Sequence, residues 1–160
     1  MASIADLRIS HLVELISSNS VAPGAGAAGA VTLALAAACA GKAVSISLKH
    51  TEHPHLRTAL TRLEELARHA LDGADEDVAA FLEWMRDKSA DSYDDLIESE
   101  ARLACQINAL LVIIRDVEGF VRPNMAGDLM AAKALAGAAR TIQMTNEAEA
   151  KMADEAHRPL

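Results

Sequence analysis

The chain has very few aromatic residues. Its 160 residues include only two Phe, one Trp and one Tyr, although 51% of the sequence is hydrophobic. Alanine and leucine must therefore form the core, and small side chains let helices pack closely. Patterns typical of β-strands are also nearly absent. These two absences argue against a layered sheet and favour an all-α bundle, in one domain spanning residues 1–160.

Basic residues are scarce as well. Fifteen Lys and Arg stand against 23 Asp and Glu, which gives a formal net charge of −8. Nucleic-acid binding depends on clustered basic side chains that release phosphate counterions, so no nucleic-acid partner is expected. The first residues lack the pattern of a cleavable secretion signal. Cys39 and Cys105 lie in apolar helical stretches, which favours free thiols and a cytoplasmic location.

Hydrophobic periodicity predicts five helices. They cover residues 4–16, 27–50, 56–85 and 92–117, and a fifth helix runs from Gly127 or Asp128 to about residue 155. Asp72-Gly73 is expected to loosen the third helix, and Ser92 is expected to begin the fourth. Because the connections are short, neighbouring helices should be antiparallel.

The second predicted helix is apolar on all sides. Its length raises the question of a membrane span. Lys42 and a high alanine content argue against that reading, because a charge in a lipid-exposed helix costs a few kcal/mol. Burial in a bundle or at a subunit interface explains the composition better, so the sequence predicts no membrane partner and a homodimer.

Two proline loops precede long helices. In the first, Pro23-Gly24-Ala25-Gly26-Ala27, the glycines either make a tight turn or let the backbone and its free N–H groups approach a ligand. In the second, Arg122-Pro123-Asn124-Met125-Ala126-Gly127-Asp128, the aspartate either caps the helix or presents a carboxylate to a ligand. We predict that the two loops contribute to one small-molecule site.

Together with Asp77-Val78-Ala79-Ala80-Phe81-Leu82-Glu83-Trp84-Met85, these loops resemble the cyclodeaminase/cyclohydrolase family, which processes one-carbon units on tetrahydrofolate and includes the C-terminal domain of formiminotransferase-cyclodeaminase. The first loop is similar to that family's Pro-Gly-Gly-Gly-Ser turn, and the second to its Asn-x-x-Ser-Asp loop. The helix is similar to its Asp-x-x-Ala-Phe-x-x-x-Met segment. The resemblance covers approximately residues 12–146.

The resemblance implies a helical fold like that domain and a small-molecule substrate, tetrahydrofolate carrying a methenyl or formimino group, with no tightly bound cofactor. It points to Asp128 and Asp77 as catalytic acids, although a solvated acidic patch also accounts for Asp77. The residues expected to bind substrate are Pro23, Gly24, Gly26, Asn124 and Asn146, with Lys49 and His50 as candidates for the carboxylate of the substrate tail.

The sequence departs from the family pattern at Ala25, Ala27 and Gly127. Two alternatives therefore stay open: a divergent member that acts on a non-folate nitrogen heterocycle, and a non-catalytic helical bundle used for binding or assembly. Either would keep the fold.

Other chemistries find little support in the sequence. His50, Glu52, His53 and His55 are close together, but their spacing fits no standard metal-ligand pattern on a helix and Pro54 interrupts them, so no metal site is expected. Neither cysteine has an adjacent histidine, and no serine lies in a nucleophile turn, so covalent catalysis is not expected.

Overall fold

The computed structural model describes residues 3–157, and the side chains of residues 3–155. In that part of the chain there are five α-helices, two short 3-10 helices and no strand. The α-helices are α1 (Ile9–Ile16), α2 (Ala25–Leu48), α3 (Pro54–Asp87), α4 (Ala90–Val117) and α5 (Ala126–His157), and the 3-10 helices are Ile4–Asp6 and Pro123–Met125. The predicted all-α bundle of five helices is confirmed.

The long helices pack antiparallel to their neighbours. The start of α2 lies against the second half of α3, where Gly26 adjoins Asp77. Helix α5 runs opposite to α2, because Ile142 packs on Gly29 near the start of α2 while Asp128 pairs with Lys42 near its end. One end of the bundle is therefore formed by the start of α2 and the last turns of α5.

Small residues form the centre of the bundle, around α2. Its buried positions are mostly alanine and glycine, among them Ala27, Ala36, Ala37, Ala40 and Ala43 with no exposed surface. Larger side chains from α3 and α4 complete the core, including Leu56, Leu63, Ile107, Leu110 and Ile114. Since small side chains allow close helix approach, the scarcity of aromatic residues is compatible with a dense core.

Helix α2 is also the one candidate for a membrane span among the described residues. Its mean hydropathy of 1.7 over 18 residues meets that criterion by length and composition, yet half of this window is buried inside the bundle. Packing against α3 and α5 accounts for its apolar character, as the sequence predicted.

The predicted first helix is divided in the structure. Leu7 and Arg8 are extended, so a 3-10 turn precedes α1. The Asp75 carboxylate accepts hydrogen bonds from the Ser3 hydroxyl, at 2.6 Å, and from the Ile4 backbone N–H, at 2.9 Å. This anchor holds the N-terminal segment to α3, a tertiary contact that helical periodicity does not reveal.

Three further expectations need correction. Helix α3 continues through Gly73 without a break. Helix α4 begins before Ser92. Ser89 is its N-cap residue, and the Ser89 hydroxyl accepts a hydrogen bond from the backbone N–H of Ser92. Cys105 is exposed rather than packed in an apolar environment, whereas Cys39 is half-buried, and both thiols are free.

Candidate functional site

A pocket of about 320 Å³ opens where α2 begins. Four helices form its walls: the first turn of α2 with the loop before it, the second half of α3, the first half of α4 and the last turns of α5. The antiparallel packing described above brings these segments together. Its size lies at the lower end of the range of small-molecule sites.

Asp77 lies against the start of α2. A Cβ atom added to Gly26 would overlap the Asp77 carboxyl group, so any other residue at this position would displace the Asp77 side chain. The backbone N–H of Ala27 donates a hydrogen bond to the Asp77 carboxylate. Gly26 has no positive φ. The predicted close approach at Gly26 is thus a contact with Asp77 rather than a turn that needs a left-handed backbone, and one free N–H of the helix start faces a carboxylate of the protein itself.

This position changes the acidity of Asp77. Burial raises its pKa from 3.8 to about 6, although the hydrogen bond from Ala27 opposes part of that rise by stabilising the charged form. A carboxyl group that titrates near neutral pH is suited to both accepting and donating a proton.

Glu100 is a second acid in the same pocket, and the sequence analysis did not predict it. Its side chain is 3% exposed, and its Oε2 atom makes no hydrogen bond. The side-chain amide of Asn146 is a hydrogen-bond donor to the Glu100 carboxyl group. A buried carboxyl oxygen without a partner is rare in folded proteins and calls for an explanation, of which a catalytic role is one.

The surroundings of Glu100 favour its neutral form. Burial raises its pKa from 4.5 to about 7, the negative charges of Asp77 and Glu147 add to the rise, and the hydrogen bond from Asn146 opposes it. Glu147 itself is engaged, since Lys151 Nζ lies 2.5 Å from its Oε1 atom. Asp77 and Glu100 are therefore two neighbouring carboxyl groups that are both hard to ionise.

The rest of the pocket wall is aromatic, apolar and acidic. The Phe81 and Trp84 rings lie on α3 with their centroids 6.1 Å apart and tilted by 45°. Glu149 adds a third, exposed carboxylate. None of the lining residues in the described part of the chain is Lys, Arg or His. Lys88 stands beside this wall, with its Nζ atom 3.3 Å from the centroid of the Trp84 ring.

Of the predicted site residues, Gly24, Gly26, Asp77 and Asn146 lie together in this pocket. Pro23 is buried in the loop immediately before Gly24. A Cβ atom on Gly24 would meet nothing within 4 Å, so space does not require glycine there.

The other predicted residues lie at the opposite end of the bundle. Asp128 is 18 residues before Asn146 on α5, which corresponds to about 27 Å along the helix axis. Its carboxylate lies 3.5 Å from Lys42 Nζ. The exposed Asn124 lies in the adjoining 3-10 helix, and exposed Lys49 and His50 follow the end of α2. A single chain therefore does not unite the two proline loops in one site.

Hydrophobic periodicity in the sequence could have predicted that Glu100 is buried. On α4 it lies four residues after Leu96 and three before Leu103, and both leucines are buried. This spacing puts Glu100 on the buried face of the helix. A carboxylate at a core position is costly unless it is paired, hydrogen-bonded or used, so the interruption of the apolar pattern marked a candidate.

The histidine-rich segment is separate from the pocket. The ring centroid of His53 lies 4.3 Å from that of Phe120 and 5.3 Å from that of His55. Among the residues that the structure describes, no three His, Cys, Asp or Glu side chains converge as metal ligands would.

Comparisons with known proteins agree with the resemblance of the motifs. Residues 8–148 match the family model described as formiminotransferase-cyclodeaminase. The fold is that of a solved structure of formiminotetrahydrofolate cyclodeaminase from Thermotoga maritima, with a TM-score of 0.88 and 19% sequence identity over 93% of this chain and 80% of that one. No curated protein matches the chain. On the family match, which spans most of its length, the chain belongs to the formiminotransferase-cyclodeaminase family.

Proposed function

We propose that the chain is a cyclodeaminase or cyclohydrolase that makes or breaks a C–N bond in tetrahydrofolate carrying a methenyl or formimino group. The observation that carries this proposal is the position of Asp77. Its carboxyl group lies in a pocket, against Gly26, and titrates near neutral pH. Proton transfer by such a group contributes roughly 10²- to 10⁴-fold to rate in enzymes.

Both reactions of this kind need proton transfer at nitrogen. In ring closure with loss of ammonia, the secondary amine that links the pterin to the benzoyl group attacks the formimino carbon and gives up its proton, and the departing nitrogen takes a proton as its C–N bond breaks. In hydrolysis, water adds to the methenyl carbon, and one C–N bond breaks with its electron pair passing to nitrogen. One proton is released to solvent. We expect Asp77 to accept and return these protons.

The pocket wall suits a flat heterocycle. Phe81 and Trp84 offer aromatic faces for stacking, and Asn146 offers both a donor and an acceptor. Folate tails also carry carboxylates. Lys88, beside Trp84, is our candidate for that contact, because Lys49 lies at the other end of α2, about 35 Å along its axis from Gly26.

The role expected of Asp128 requires a second copy of the chain. On the open side of α2, Ala28, Val31, Leu35 and Ala38 form a partly or fully exposed apolar strip. A two-fold pairing of α2 helices about Leu35 would place the end of one α2, where Asp128 pairs with Lys42, opposite the start of the other. We propose a homodimer in which Asp128 of each copy completes the pocket of the other.

A second candidate function is the same chemistry on a nitrogen heterocycle without a folate tail. It is favoured by the acid-rich lining, in which no described residue is basic.

The test is a substrate screen. The purified protein is incubated with 5,10-methenyltetrahydrofolate, whose absorbance is lost on hydrolysis, and with 5-formiminotetrahydrofolate, which gains that absorbance on cyclisation with release of ammonia. We expect turnover of at least one of the two above the rate without protein. If neither reacts faster than the blank, the folate proposal is wrong.

A further inference from the structure

We propose that Glu100 and Asp77 act as one carboxyl pair that binds a planar cationic group of amidinium type, with Glu100 as a second acid–base residue. This inference rests on the proposed function only in taking the pocket at the start of α2 as the substrate site. The pocket combines a buried acid, Glu100, and a half-buried acid, Asp77, with two aromatic rings.

The first support is the geometry of Glu100. It lines the pocket with Asp77, is 3% exposed, and leaves Oε2 without a hydrogen-bond partner. The Asn146 side chain already donates a hydrogen bond to the Glu100 carboxyl group. An amidinium N–H directed at Oε2 would satisfy this buried oxygen, which receives no hydrogen bond from the residues that the structure describes.

The second support is the balance of charge around the pair. Helix α3 contributes Asp77 and Glu76, α5 contributes Glu147 and Glu149, and α2 contributes no titratable side chain to the lining. On α4 itself, Arg102 is the nearby cation, but it pairs with Glu76, at 3.4 Å, and with Glu98, at 2.9 Å. Lys151 of α5 pairs with Glu147, and Lys88 of α3 lies over the Trp84 ring. Carboxyl groups therefore outnumber basic groups around the pocket, which favours a cation over a neutral or anionic group.

The third support is the aromatic wall. Phe81 and Trp84 line the same pocket as the two carboxyl groups. Aromatic faces attract cations through their quadrupole, most strongly where water is excluded. Carboxyl oxygens at one side and rings at another fit a flat, delocalised cation with N–H donors in its plane. A protonated formimino group has both this charge and such N–H donors, whereas a methenyl bridge has the delocalised charge alone.

The two acids occupy different environments and so take different roles. Asp77 accepts a hydrogen bond from the Ala27 N–H, which favours its ionised form. Glu100 is less exposed to solvent and lies near the charge of Asp77, and both features favour its neutral form. Two carboxyl groups pushed apart in this way divide into a base and an acid. Asp77 takes the proton of the attacking N–H or water, and Glu100 supplies the proton that the departing nitrogen keeps.

The experiment uses benzamidinium chloride as the cationic probe and benzamide as its neutral counterpart. Binding to the full chain is measured by calorimetry at neutral pH in two buffers of different ionisation enthalpy, which counts released protons. We expect benzamidinium to bind, benzamide to bind at least roughly 10-fold more weakly, and binding to release protons. Glu100→Gln and Asp77→Asn should each weaken benzamidinium roughly 10-fold or more and remove most of the proton release.

Glu98→Gln is the matched control, because Glu98 lies two residues away on α4 with an exposed side chain, and it should bind as the wild type does. Equal binding of the two probes, or a Glu100→Gln variant that binds and releases protons like the wild type, would overturn the carboxyl pair. If benzamidinium binds as expected while neither folate substrate turns over, the proposed function fails and the pair stands. If folate turns over but Glu100→Gln keeps the wild-type pH profile of kcat, Glu100 has no acid–base role.

Discussion

Glu100→Gln should make the protein more stable at alkaline pH. In the unfolded chain this glutamate ionises near 4.5, and in the folded chain near 7. Between these values the folded state binds more protons than the unfolded state, so the free energy of unfolding falls as the pH rises. The penalty is complete once both states are ionised. A glutamine of the same size has no charge to bury, so the variant escapes it.

The magnitude follows from the two ionisation constants. For a group that titrates near 4.5 unfolded and near 7 folded, linkage gives a loss of about 2.5 kcal/mol between roughly pH 5 and pH 8. We therefore expect the free energy of unfolding of Glu100→Gln, measured in urea at both pH values, to fall by about 2.5 kcal/mol less than that of the wild type.

Glu98→Gln serves again as the control, since its exposed side chain should leave the wild-type pH dependence unchanged. A Glu100→Gln variant whose stability falls with pH as steeply as the wild type's would show that Glu100 is not buried as a hard-to-ionise acid. The argument for the carboxyl pair would then lose its physical basis.

Three further substitutions address the site. Gly26→Ala should lower the free energy of unfolding by about 1–3 kcal/mol and weaken ligand binding, because its Cβ overlaps the Asp77 carboxylate. The Cβ of Gly24→Ala meets no atom, so this variant should lose little stability, and equal losses of the two variants in urea unfolding would contradict the prediction. Asp128→Asn should fold normally and lose roughly 10²-fold in turnover, and mixing it with Asp77→Asn subunits should restore about a quarter of wild-type activity, because half of the dimers then have one intact site. Full activity of Asp128→Asn, or no recovery on mixing, would remove Asp128 from the pocket. Lys88→Ala should raise KM for a folate substrate whose tail carries several glutamates, while leaving kcat unchanged. An unchanged KM would exclude a contact between Lys88 and the tail.

Periodicity was sufficient for the fold because local sequence determines which face of a helix is apolar. The number and order of the helices followed from that pattern, and short loops predicted antiparallel packing. Contacts between distant segments were beyond it. The Asp75 anchor at Ser3 and Ile4, which interrupts the first predicted helix, joins residues more than 70 positions apart.

The candidate site was predicted in part for a similar reason. Asp77 and Gly26 were both expected, but their direct contact was not, because it depends on the register of α2 against α3. Placing Asp128 in the same single-chain site conflicted with the predicted topology. In an up-and-down bundle, α2 and α5 run in opposite directions, so their first turns lie at opposite ends. The interruption of the apolar face of α4 at Glu100, by contrast, is visible in the sequence, because it depends on local periodicity alone.

The central claim is that Asp77, in the pocket at the start of α2, transfers protons in C–N chemistry on a one-carbon-substituted tetrahydrofolate. The most direct measurement compares kcat for the preferred folate substrate in Asp77→Asn with that in Asp72→Asn, an exposed acid of the same helix. We predict a loss of roughly 10²-fold or more for Asp77→Asn and wild-type turnover for Asp72→Asn. Wild-type kcat in a folded Asp77→Asn protein would contradict the account.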